Sequence, residues 1–291
     1  MKIHEKIIVL FLWMCSSITV LTTALIIWIL VKESVAFFEH VSIIDFLTDL
    51  EWTPLFSAKK YGILPLLTGT LLCTLISIFV ALPIGISIAF YLSEYAPDRL
   101  RSILKPTLEI LAAIPTVVYG FFALTVVTPF LKDFIPGLNT FNAFSAGLVM
   151  GIMIIPMISS LCEDAIRAVP DSLRQASYSM GSTVFQTSFK VLLPAASSGI
   201  IVSIILAVSR ALGETMIVSI AAGQQPNLTL NPFETVETIT SYIVQVSMGD
   251  VPQGSIEFQT IFAAGLTLFI FTFFLNNLSH LIRRKYQEKY E

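Results

Sequence analysis

Charge is what this chain has least of. Of its 291 residues, 13% are charged and 55% are hydrophobic, and the mean hydropathy is +0.82. Soluble domains carry about 25% charge. Half that amount leaves too little polar surface to coat a water-soluble globule of this length, so lipid has to be part of the solvent. The net charge of −3 gives no electrostatic footprint for nucleic acid. Cysteine is also scarce. Cys15, Cys73 and Cys162 are odd in number, far apart and without a CxxC, which excludes a disulfide framework and a thiolate metal site. They read as small core hydrophobes. His4, His40 and His280 are equally scattered, so no metal is expected. No GxxxxGK[ST], HExxH or GxSxG occurs. Their absence argues against ATP hydrolysis, zinc-dependent hydrolysis and serine acyl transfer by this chain. No internal repeat is visible, so one chain does not supply the paired halves of many secondary transporters.

What is there is apolar sequence in long runs. A bilayer core of about 30 Å needs roughly 20 apolar residues as helix. Six stretches qualify, at about 7–31, 65–92, 107–131, 141–162, 195–223 and 258–282. The expected fold is an all-α membrane protein forming a single transmembrane domain over 1–291. The first run, Ile7 to Val31, is longer than a signal-peptide core and lacks a small-residue cleavage site, so it reads as a retained helix. Pro83, Pro115 and Pro156 fall inside these spans and are expected to kink them. Gly147 and Gly151 form a GxxxG that lets another helix approach. With the N-terminus inside, twelve basic residues fall on cytoplasmic pieces and four outside, which puts both termini in the cytoplasm. Residues 34–51 and 233–248 carry apolar faces (Phe37, Phe38, Val41, Ile44, Leu47; Val236, Ile239, Ile243, Val246) and are expected to lie as amphipathic helices at the outer interface.

The stretch 163–194 is the most informative. Pro170 suits the first position of a helix, where its missing N–H is not needed. Asp171 sits where the helix dipole favours an anion. Leu173, Ala176, Ser177 and Met180 fall on one face, and Gly181 is placed to end the helix in a left-handed conformation. Thr183 and Gln186 form a capping-box pattern for the next helix, and Leu193-Pro194 leads into the fifth span. An ordered helix–turn–helix in so long a loop is explained by docking to a cytoplasmic protein. A passive connector stays open. A DNA-reading role is excluded by the two membrane helices that pin it and by its lack of basic character.

Arg210 and Glu214 fall in the middle of the fifth span. A charge at the bilayer centre costs on the order of 2.5–3.5 kcal/mol or more, and marks a functional path by default. At i, i+4 the two share a helix face and are expected to pair. An interhelix staple is the other reading. A guanidinium on a transport route suits an oxyanion, which it holds bidentately at any working pH. Glu109 is a second candidate.

The loop resembles the "EAA" loop of ABC importer permeases, which runs E-A-A, three residues, G, nine residues, I-x-L-P. Here Gln175-Ala176-Ser177 is followed by three residues, Gly181, nine residues and Val191-Leu192-Leu193-Pro194. Gln175 replaces the Glu, Ser177 the second Ala and Val191 the Ile, while the spacing and the Gly are kept. The stretches Ala112–Gly120 and Arg210–Met216, with Trp52-Thr53-Pro54, are similar to the phosphate-specific (Pst) permease family, and to its PstC-type subunit more than its PstA-type. The resemblance implies a type I importer permease in a bacterial or archaeal plasma membrane, without catalysis or a cofactor of its own. It implies a PstA-like second permease, two PstB-like ATPases carrying ATP and Mg, and a PstS-like external phosphate-binding protein. It implies that Asp171, Arg174, Gln175, Ala176, Ser177, Gly181, Leu193 and Pro194 serve coupling to the ATPase, and Arg210 and Glu214 the substrate pathway. Permeases for sulfate or molybdate share the loop, and a stand-alone channel, a secondary carrier or a membrane enzyme are the remaining alternatives.

Overall fold

The computed structural model describes residues 3–286. Lys2 and Lys289 of the basic tally lie outside the described residues. Among the described residues the fold is all-helical, with one isolated β-bridge, Trp52 to Tyr61. Helix α1 (Ile3–Phe38) runs straight through the first apolar stretch and beyond it. A short α2 (Ile43–Thr48) and the bridged turn lead into α3 (Leu64–Phe90), which ends in a π-helical turn, Tyr91–Tyr95. Next come α4 (Asp98–Ala113), α5 (Thr116–Phe122), a second π turn (Ala123–Val127) and α6 (Thr128–Lys132). Helix α7 (Ala143–Arg167) is unbroken. The loop region holds α8 (Asp171–Ser179), α9 (Val184–Thr187), a third π turn (Ser188–Leu192) and α10 (Leu193–Ala195). Helices α11 (Ser197–Leu212), α12 (Met216–Ala221), α13 (Ile239–Met248) and α14 (Ile256–Tyr286) complete the chain.

Four helices are long and apolar enough to cross a membrane, and two bent pairs bring the number of spans to as many as six. The third span differs from expectation. Pro115 does not kink a helix; it stands at the N-cap of α5, and α4 turns away from α5–α6 by 83°. The cause is local. Proline disfavours the helical region for the residue before it, and Ile114 is accordingly extended, with ψ 130°. Pro83 and Pro156 do sit inside α3 and α7.

The outer segments also differ from two helices lying on the membrane. Residues 34–38 finish α1, only 43–48 and 239–248 are separate helices, and the two segments bury their apolar sides together. Phe37, Phe46, Trp52, Ile239, Tyr242 and Val246 share one core cluster with Ala263 and Ala264 of α14. Trp52 and Tyr242 meet edge to face, with ring centroids 5.1 Å apart. Ile44 and Leu47 of the expected face stay exposed.

The main core lies between α3 and α7, where Gly147 and Gly151 make the close approach possible. A Cβ on Gly147 would stand 2.8 Å from Ile76, and one on Gly151 would stand 2.8 Å from the carbonyl oxygen of Ser77. Gly151→Val should therefore destabilise the bundle. Overpacking costs about 1–3 kcal/mol, more than the gain of under about 1 kcal/mol in helix propensity over glycine. A lower unfolding midpoint of the purified protein in detergent is the expected readout; an unchanged midpoint would refute the close packing.

Candidate functional site

The loop 168–196 is built from local chemistry. Pro170 is the N-cap of α8, one residue earlier than the helix position expected of it, and Asp171 opens the first turn. Gly181 ends the helix at φ +81°, a conformation costing an L-residue about 1–2 kcal/mol. Thr183 and Gln186 close a reciprocal capping box at the start of α9. The expected common face of α8 divides: Ser177 is buried and Leu173 half-buried, while Ala176 and Met180 face outward, Met180 with 86% of its surface exposed.

Two interactions hold this loop. The Arg174 guanidinium donates to the carbonyls of Ile166 (2.9 Å), in the last turn of α7, and Val169 (2.7 Å), just beyond it. It also pairs with Asp171 at 3.0 Å and with the buried Glu94 of the first π turn at 3.3 Å. The Ser177 hydroxyl shares a 2.8 Å hydrogen bond with that of Thr187. Arg174 and Ser177 thus work inside the chain. Asp171, Gln175, Ala176 and Gly181 remain exposed, with Tyr178, Met180 and Phe185 beside them. Leu193 is half-buried and Pro194 exposed, just before the 73° bend into α11.

A second anchor went unread in the sequence. Glu163, fully buried near the end of α7, accepts from Arg101 (2.6 Å) and Lys105 (2.7 Å) of α4, and Lys105 reaches Asp164 at 2.7 Å. The spacing of Arg101 and Lys105 on one helical face was the available signal; that Glu163 met it was not visible without the fold. Glu109 lies exposed on the same helix, in a shallow groove with Asp98 and Arg101.

The fifth span is discontinuous. Helix α11 ends at Leu212, Gly213 to Thr215 are non-helical, and α12 restarts at Met216. The break corrects the expected i, i+4 pair: among the described residues no ion pair joins Arg210 to Glu214. Arg210 is exposed on the last turn of α11, its guanidinium 3.4 Å from the sulfur of Met153. Glu214 is only 6% exposed; its side chain accepts from the Ile217 N–H at 3.4 Å, and its backbone carbonyl accepts from the Thr240 hydroxyl at 2.6 Å. Outside the break, Glu237 is buried ahead of α13, and burial pushes its carboxyl up to about 8. Among the described residues no cluster of His, Cys, Asp or Glu is arranged to hold a metal.

A bent-helix bundle with a tethered helical loop on one side and a charged helix break within it defines a membrane permease. The chain belongs to the family of binding-protein-dependent transport system inner membrane components, whose profile matches residues 81–288. A probable ABC transporter permease of Bacillus subtilis, YqgH, is 39% identical over 80% of this chain and 75% of its own length. The phosphate transport system permease PstC of Haemophilus influenzae is 32% identical over 84% of this chain and 82% of its own. Among solved structures, a bacterial alginate ABC transporter chain matches with TM-score 0.66 and 16% identity over 99% of both chains. A chain of the MetNI methionine transporter matches with TM-score 0.57 and 18% identity over 78% of this chain and 95% of its own. The chain is a multi-pass permease subunit of an ABC importer.

The Glu163 anchor makes a prediction. Breaking a buried ion pair costs about 3–5 kcal/mol; Arg101 and Lys105 are each 24% exposed, which lowers this to about 1–3 kcal/mol. Glu163→Gln should free α4, seen as faster protease cutting within 98–113 at an unchanged pattern elsewhere. Cutting at the wild-type rate would show that α4 is held by other means.

Proposed function

We propose that this chain conducts phosphate as half of the membrane pathway of a Pst-type importer. The observation that carries the reading is the exposed Arg210 guanidinium beside the helix break at 213–215, which this reading sets within the membrane. An intramembrane charge faces a wet path or a partner, and irregular backbone is tolerated at that depth only where it lines a cavity or is buried in protein. A guanidinium there attracts an oxyanion. Phosphate as the cargo rests on the similarity to permeases named PstC. The Glu214 carboxylate, four residues further along the chain and unpaired with Arg210, serves in this reading as the counter-charge that keeps the anion from being held too tightly to leave.

In this reading both termini are cytoplasmic. A PstA-like permease completes the path, and two PstB-like ATPases bind ATP and Mg. A PstS-like protein delivers phosphate from outside. Closure of the ATPases moves α8 through its exposed surface at Gln175, Ala176 and Gly181. Arg174 and Ser177 pass that motion to α7 and α9, and from there it reaches α11 and Arg210. No covalent chemistry is needed from this subunit. A sulfate or molybdate permease would use the same guanidinium, and labelled uptake of each anion separates the cases.

Arg210→Gln should lower ATP-driven uptake of labelled phosphate by about 10- to 100-fold, as expected for one lost charged hydrogen bond, while the complex still assembles. Uptake at the wild-type rate would take Arg210 off the path. Gly181→Leu forces a branched side chain into the left-handed region and onto an open surface, where a Cβ meets nothing within 4 Å in this chain. It should weaken the stimulation of ATP hydrolysis by loaded binding protein without lowering stability by more than about 2 kcal/mol. Full stimulation in that variant would count against the docking role of the bend.

A further inference from the structure

Helix α7 reaches Arg210 through a side chain that the pathway reading does not use. Met153 is buried in the main core, and its sulfur stands 3.4 Å from Nη2 of the Arg210 guanidinium. Helix register sets this meeting. Helices α11 and α7 run antiparallel. Near the start of α11, Gly199 lies so close to α7 that a Cβ would stand 2.6 Å from that of Ala165. Further along, Ser203 shares a side-chain hydrogen bond with Cys162. Each step forward on α11 is a step back on α7, and Arg210 accordingly arrives opposite Met153. Ala207 and Ala211 belong to the same core cluster as Met153 and are small enough to keep the two helices close.

Among the described residues no carboxylate pairs with this guanidinium, and the Met153 sulfur is its one polar contact. The last turn of α11 is held from α14 as well, where the Ser209 hydroxyl donates to Asn276 at 3.2 Å. The arginine therefore projects from a turn fixed to two helices, and its head rests on a thioether. The kind of group matters. A carboxylate at position 153 would pair with Arg210 and compete with an incoming anion. A leucine would fill the same volume but accept nothing. A thioether is an uncharged, weak acceptor. It engages one N–H, fixes the direction of the planar fork, and leaves the charge and the remaining donors free.

We propose that Met153 is a positioning residue for anion passage: its sulfur aims the Arg210 guanidinium into the pathway and gives way when the anion arrives. The inference deepens the reading of Arg210 as the anion-attracting group and rests on it. A weak contact suits both tasks. It favours one direction for a long, exposed side chain whose free rotamers would otherwise scatter it. It is also too weak to hold the guanidinium against an anion, whose charge-assisted hydrogen bonds are about twice as strong as neutral ones.

The test measures ATP-driven uptake of labelled inorganic phosphate by the complete importer in proteoliposomes, with variants compared at equal amounts of assembled complex. A residue that only fills the core would tolerate leucine and suffer from a buried glutamine amide. Positioning reverses that order. Met153→Leu should lower uptake about three- to tenfold, as for one lost hydrogen bond. Met153→Gln restores an acceptor and should recover most of that loss. In the Arg210→Gln background, Met153→Leu should lower uptake by less than about twofold more, because the group it aims is gone. Met153→Leu at the wild-type rate would overturn the proposal. So would glutamine transporting below leucine, or an equal loss from Met153→Leu with and without Arg210. The leucine variant and its combination with Arg210→Gln decide the outcome even where glutamine prevents assembly. Arg210→Gln at the wild-type rate would instead strike the pathway reading, and the positioning with it.

Discussion

No backbone N–H or C=O can be left bare in hydrocarbon, and that constraint governs where this chain departs from regular helix. It departs at Ile114-Pro115, at Ala196 and at Gly213 to Thr215. The last of these is clothed by the protein itself: Thr240 of the returning outer segment supplies a donor to the Glu214 carbonyl, and Ile217 turns its N–H to the Glu214 side chain. Unbroken helix is kept where the molecule needs a mast. Helix α7 runs 25 residues without interruption, and α3, α4 and α11 all pack on it. Its two glycines bring α3 close enough to bury backbone against backbone, while its far end carries Glu163 and the Ile166 carbonyl that Arg174 reaches.

The side that carries α8 is consequently stiff where it meets α7 and bare where it faces outward. Arg174 is the joint. One guanidinium satisfies the end of α7, a carboxylate in the first π turn and the first turn of α8. Glu163 does the same for α4 on another side of the mast. A displacement imposed on α8 cannot be absorbed locally, because its inner face is bonded at Arg174 and Ser177. In the proposed function, motion would enter through this exposed helix because its other face is fastened.

How much of this was legible in the sequence depended on the range of the interaction. The turn at Gly181 and the capping box of Thr183 and Gln186 follow from residues within a few positions of one another, and they stand as read. The GxxxG of α7 was readable as a close approach, though its partner was not. The long apolar runs gave the spans, but not their breaks. Pro115 read as a kink, because hydropathy outweighed the constraint proline places on Ile114. Arg210 and Glu214 read as an i, i+4 pair only on the assumption of unbroken helix, which Gly213 does not keep. The outer segments were recognised as amphipathic, yet their apolar sides meet each other across some two hundred residues of chain, a pairing no local pattern encodes. Glu163 and Glu237 were missed for the same reason. A carboxylate acquires meaning from the cations, or the lack of them, that the fold brings to it.

The three π-helical turns carry a further implication for geometry. An α-helix turns about 100° per residue, and a π turn accommodates one residue more than the α-helical turn it replaces. Everything beyond such a turn is offset azimuthally from where regular winding would have put it. Removing a single residue near Tyr91–Tyr95 would rewind the end of α3 and swing the Glu94 side towards another compass bearing, with no change in composition or hydropathy. The facing direction of the Arg174 joint is thus fixed by an integer, the number of residues in one wide turn.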